Sequence, residues 1–202
     1  MGLCLADSLL MNKEWDPHDL MNRFLAWWYL GYNNAFRYDP SRSSSCGLGG
    51  NISASFDRYI EDPSSPYTTA GDIRTSGNGS VMRNAPIPIC FWNEPPLACE
   101  MAKLQSLVTH QGTEAADCCR LLTYITIRLL YSQPTDNLRE ILDKIGDEFC
   151  SNLPDCTESV KYLARSQQET LPDSDQLDPN RNWNWKVEKY IYSPQRLRKN
   201  SG

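Results

Sequence analysis

Apolar residues recur at helical spacing along most of the chain. Leu3, Leu5, Leu9 and Leu10 open a helical pattern, with Ala6 at a small site, yet no Ser, Thr, Asp or Asn precedes them as a cap. Residues 16–31 repeat the pattern more strongly. Leu20, Phe24, Trp27 and Trp28 make one stripe, Asp16 is a good N-cap, Pro17 takes the first helical position and Gly31 is a stop. The stretch "YDPSRSSSCGLGG", residues 38–50, reads as a polar loop. A third helix follows, with Ile52, Phe56, Tyr59 and Ile60 on one side, and then a second long polar loop over 61–79. Pro86 and Pro88 predict an irregular path through "NAPIPI". Helical spacing resumes at "EPPLACEMAKLQSLVTH", with Pro95 and Pro96 in the first turn. "GTEAADCCRLLTYITIRLLYS" is apolar on nearly all sides and predicts a central buried helix. Two amphipathic helices follow, "TDNLREILDKIGDEFC" and "DCTESVKYLARSQQ", each with an Asp or Thr cap. The last stretch, 169–202, predicts an irregular tail rich in Pro, Asn and Trp. No period-two alternation and no internal repeat is present. The expectation is one all-α domain over residues 1–202, with long loops between its helices.

Composition narrows the class. The chain has 202 residues, enough for a sizeable core, and 40% of them are hydrophobic. A net charge of −5 argues against a nucleic-acid surface, which needs a basic patch; only the tail "SPQRLRKN" is locally basic. The longest apolar run, "LLTYITIRLLY", is too short to span a membrane. The first residues lack the basic start of a signal peptide, so the protein is expected in the cytoplasm. Eight cysteines include the adjacent Cys118 and Cys119 but no C-x-x-C pair, which predicts buried free thiols rather than a disulfide framework. With only His18 and His110 available, no zinc site is assigned.

One short stretch raises a question of chemistry. Ser76-Gly77-Asn78-Gly79-Ser80 is either a tight turn or a cradle of backbone N–H groups for a phosphate-bearing ligand. No alternating strands flank it, which removes the hairpin's supports. Val81, Met82, Ala85 and Ile87 tie it to the core. Arg83 either pairs with a phosphate or locks the loop. His110 ends a helical pattern. It is either a helix-terminal histidine favoured by the dipole or a residue that faces a ligand.

Several ordered segments resemble the ADP-ribosylglycohydrolase family. They are "ADSLLMNKEWDPHDLMNRFLAWWYLGY", the Gly-rich "CGLGGNISASF", "SGNGSVMRNAPI", "LVTHQGTEAADCC" and the tail "YIYSPQRLRKNSG". The resemblance implies an orthogonal multi-helix all-α bundle. It implies cleavage of the glycosidic bond between ADP-ribose and a protein side chain or a related ADP-ribosyl compound. It implies a pair of Mg²⁺ ions. It would place Ser76, Gly77, Asn78, Gly79, Ser80, Met82 and Arg83 against the diphosphate and ribose, and His110 near the ribose or phosphate. The family's metal segments are Gly-Asp-x-x-Gly, Asp-Asp-Thr and Gly-x-Asp-x-Asp-Thr, and none occurs here. Asp57 and Asp72 are not taken as their replacements. No metal ligand and no catalytic residue is therefore assigned. The expected reading is the middle of such an enzyme: a fragment inactive alone, with apolar faces open to self-association. The alternative is a non-catalytic ADP-ribose-binding or structural helical module.

Overall fold

The structure is a computed structural model that describes residues 1–12, 14–67, 71 and 73–165. The described residues form helices and loops with no strand: α1 (Gly2–Met11), α2 (Pro17–Tyr29), α3 (Gly50–Glu61), α4 (Gly79–Met82), α5 (Pro86–Cys90), α6 (Pro95–Leu107), α7 (Thr113–Leu130), α8 (Leu138–Asn152) and α9 (Glu158–Ala164). A short 3₁₀ turn, Ile73–Thr75, sits in the second long loop. The fold is all-α, as the pattern predicts.

The boundaries follow local chemistry. The Asp16 carboxylate accepts from the backbone N–H groups of His18 and Asp19 at 3.0 and 2.9 Å, and so caps α2. Beyond α2, Gly31 takes φ +72°, and a Cβ there would lie 2.1 Å from the backbone of Arg37, so only glycine permits this turn. No side chain caps α1. Its last turns are instead tied to α2 through Asp19, which accepts from Ser8, Asn12 and Arg23 at 2.6, 2.8 and 2.7 Å.

Two details differ from the sequence expectation. Residues 86–90 are helical despite Pro86 and Pro88. Both prolines sit in the first turn, where a backbone N–H has no intrahelical partner to lose. The expected caps of the last two helices also act elsewhere. Asp136 accepts from the N–H of Gln133 at 2.7 Å, and the Thr157 hydroxyl makes no capping bond. The N–H of Thr157 instead donates to Asp117 of α7 at 2.7 Å. The tail expected from Glu169 onward lies outside the described residues.

Helix α7 is the axis. It packs on α4, α5 and α6 on one side and on α8 and α9 on the other. The first core collects Leu5, Leu20, Phe24, Phe56, Ile87, Val108 and Ile127. The second collects Leu121, Tyr124, Ile145, Phe149 and Val160. The position of α7 agrees with its apolar pattern, yet it also buries an ion pair. Arg120 pairs with Asp117 at 3.1 Å and holds Asp155 with both terminal nitrogens, at 3.1 and 3.0 Å. All eight cysteines are free thiols, and five are buried. No described helix is long and apolar enough to cross a membrane.

Candidate ligand site

The Gly77-Asn78-Gly79 turn lies against the imidazole of His110. A Cβ on Gly79 would meet His110 Cε1 at 2.8 Å and Nε2 at 2.9 Å, closer than packed atoms approach. A Cβ on Gly77 would meet Asn51 Nδ2 at 3.3 Å and the same imidazole at 3.6 Å. The two glycines are therefore what lets the ring seat on the loop backbone. Asn51 and Ile52 belong to the first turn of α3, so that helix start closes a third side. Gly49 caps α3 without any side-chain bond, and a Cβ on Gly49 or Gly50 would meet nothing within 4 Å. The α3 start thus reaches the loop through the Asn51 and Ile52 side chains, and a helix start favours negative charge.

A buried polar network holds the loop from behind. Arg83 leaves α4 for the interior and is 3% exposed. Its Nε donates to Gln105 Oε1 at 2.9 Å, Nη1 to Thr109 Oγ1 at 2.7 Å and Nη2 to the Gln105 carbonyl at 2.6 Å. The guanidinium rests over the Phe24 ring, 4.6 Å from its centre. Burial lowers its pKa to about 10, so it stays charged at neutral pH. The Ser80 hydroxyl accepts from Ser106 at 2.8 Å, and the Ser80 carbonyl accepts from Gln105 Nε2 at 3.2 Å. Asn84 bridges to Thr123 at 2.8 Å.

His110 completes this network. Its Nδ1 is 2.9 Å from Thr109 Oγ1. Burial, and then the charge of Arg83, lower its pKa to about 4. At neutral pH it is an uncharged imidazole. It can donate one hydrogen bond and accept another, but it lacks the second proton that would make it an imidazolium acid.

Of the residues singled out in the sequence, the structure brings together Gly77, Asn78, Gly79 and His110, with Ser76 half-buried at the loop's entry. It turns the side chains of Ser80 and Arg83 into the network behind the loop. It leaves Met82 75% exposed beside α1. Sequence reasoning missed Asn51, Gln105 and Thr109. The paired glycines before Asn51 and the Thr-His order at 109–110 were the available signals.

A family model for ADP-ribosylglycohydrolases matches residues 1–193. The chain belongs to the ADP-ribosylglycohydrolase family. An ADP-ribosylarginine hydrolase, Tri1, from Pseudomonas putida (strain GB-1) is 30% identical over 125 residues, which make up 60% of this chain and 31% of that protein. The chain thus spans about a third of the length of the curated relative it matches.

The metal pair that the resemblance implies does not fit the donors in hand. Among the described residues, no three His, Cys, Asp or Glu side chains come together as a metal site. Hard divalent cations need several oxygen ligands at once. No hydrolytic step through a metal is derived from these residues.

Proposed function

We propose that residues 47–110 form the ADP-ribose-holding part of an ADP-ribosyl hydrolase, with the diphosphate at the meeting of the Gly77–Gly79 turn, the α3 start and His110. The observation that carries this reading is a glycine turn seated on a buried neutral imidazole, with the Asn51 and Ile52 side chains of the α3 start beside it. Backbone donors and a helix start suit an anion and demand no counter-charge from side chains. Among the eight residues proposed to bind the ligand, the contacting groups are then Ser76, Gly77, Asn78, Gly79 and His110. Ser80 and Arg83 would act from behind the loop, and Met82 from its rim.

The name of the P. putida relative points to ADP-ribosylated arginine as the substrate class. Cleavage would then break the bond between ribose C1 and a guanidine nitrogen. Mg²⁺ is the proposed metal, and no carboxylate of this chain is proposed as its ligand. This chain alone is proposed to bind without turning over, and its free thiols suit the cytoplasm. The apolar groove of about 650 Å³ between α1 and α5 is a proposed self-association face, with Leu3, Leu10, Met82 and Ile89 exposed along it.

The test is release of ADP-ribose from an ADP-ribosylarginine protein by the purified 202-residue chain. The expected result is binding of free ADP-ribose and no release, with or without Mg²⁺. Metal-dependent release that is lost in His110→Ala would overturn the proposed division between binding and turnover.

A further inference from the structure

Arg83 and His110 are joined by a single hydroxyl, and the proton count along that chain has one solution that leaves the proton of that hydroxyl paired. Arg83 Nη1 can only donate, so Thr109 Oγ1 accepts from it at 2.7 Å. Thr109 then has one proton of its own to place. His110 Nδ1, at 2.9 Å, is its acceptor among the described residues. Were Nδ1 to carry a proton instead, the threonine hydroxyl would accept twice and its own proton would be buried without a partner. That arrangement is costly at a site where Thr109 is 0% and His110 3% exposed. We propose that Arg83 and Thr109 are positioning residues: together they fix the His110 tautomer so that Nε2 carries the proton and presents it toward the Gly77–Gly79 turn.

The geometry on the far side of the ring agrees. Nε2 lies 2.9 Å from the Cβ position of Gly79 and 3.6 Å from that of Gly77, and it makes no hydrogen bond among the described residues. A neutral N–H aimed there serves an anionic ligand, whereas the lone pair of the other tautomer would repel it. The functional weight of the inference rests on the ADP-ribose reading. The relay itself is a property of the free protein. Arg83 acts two bonds away, through Thr109, and needs no contact with the ligand. Gln105 is its second anchor, accepting at both its side-chain and main-chain oxygens. The guanidinium thus reaches Thr109 from a fixed point.

The experiment is ¹⁵N NMR of the imidazoles in the free chain at neutral pH. His18, the other histidine, is exposed and bonded to Tyr59, and His18→Gln assigns the two. The expected wild-type spectrum shows His110 protonated at Nε2 with an acceptor Nδ1. Thr109→Val, which keeps the shape and removes the hydroxyl, is expected to mix the tautomers and to weaken ADP-ribose binding about tenfold. Thr109→Ser is expected to restore both. A purely structural role for Thr109 would not move the tautomer. A wild-type proton on Nδ1, or unchanged nitrogen shifts in Thr109→Val, overturns the proposal. If Thr109→Val does not fold, the wild-type spectrum decides by itself. An Nε2–H signature with no ADP-ribose binding in any variant would keep the relay and sink the ligand reading instead.

Discussion

Gly79→Ala probes the seating of His110 on the loop with one added methyl group. The backbone of Gly79 is not left-handed, so the residue itself accepts alanine, and the start of α4 gains about 0.5–1 kcal/mol from the swap. Against this, the methyl would lie 2.8 Å from His110 Cε1, 2.9 Å from Nε2 and 3.4 Å from Ile52 Cδ1. The ring must move by roughly 0.6 Å or more to reach ordinary contact. It is buried, and Thr109 holds its Nδ1, so it has nowhere free to go. Overpacking of this kind costs about 1–3 kcal/mol, and loss of the Thr109 bond adds about 1 kcal/mol. The net expectation is a loss of about 1–3 kcal/mol. Two neighbours calibrate the result. Gly77→Ala meets nothing closer than 3.3 Å, and its cost should stay below about 1 kcal/mol. Gly50→Ala meets open space inside the first turn of α3 and should stabilise by about 0.5–1 kcal/mol. Urea denaturation followed by circular dichroism reads all three. A Gly79→Ala protein as stable as Gly50→Ala, at equal m-value, would refute the packing of His110 on the turn.

Further consequences can be checked separately. Asp117→Ala removes the buried acceptor of both Arg120 and the Thr157 N–H, and should destabilise by about 3 kcal/mol and loosen α9, seen as faster proteolysis there. The pKa of His110 is lowered from 6.5 to about 4, so below pH 6.5 the unfolded chain takes up a proton that the folded chain refuses. Stability contributed by the neutral ring should therefore be present above pH 6.5 and be lost between 6.5 and 4, by up to about 3 kcal/mol. His110→Gln should flatten that part of the pH–stability curve, measured by denaturation at several pH values. Ile89→Glu, at a residue 66% exposed in the groove, should shift a self-associating chain toward monomer in sedimentation experiments with little change in melting temperature.

Much of this arrangement is written in local chemistry, and the rest is not. Asp16-Pro17 announced α2 because a cap and a first-turn proline act within four residues. The Gly77–Gly79 turn stood out because glycine pairs are rare inside packed segments. Pro86 and Pro88 misled because their effect depends on where the helix begins, and Ala85 sets that start through its backbone alone. Arg83 looked equally suited to a phosphate or to the loop. Only the approach of Gln105 and Thr109, more than twenty residues away, shows which oxygens hold it. Asn51 was invisible for the same reason, since its place beside Gly77 is a contact between the start of α3 and a distant loop. The Asp117–Thr157 bond spans 40 residues and holds the N-cap residue of α9 by its N–H, whereas its hydroxyl makes no capping bond.

The central claim is that free ADP-ribose sits where the Gly77–Gly79 turn, the α3 start and His110 meet. Isothermal titration of ADP-ribose into the wild-type chain and into Gly50→Asp tests it most directly. Nothing lies within 4 Å of a Cβ at residue 50, so the variant should fold, yet it sets a negative charge at the helix start. The account predicts metal-independent wild-type binding tighter than about 1 mM, weakened about tenfold or more in Gly50→Asp. No binding by a folded wild-type chain, or equal binding by both, would contradict it.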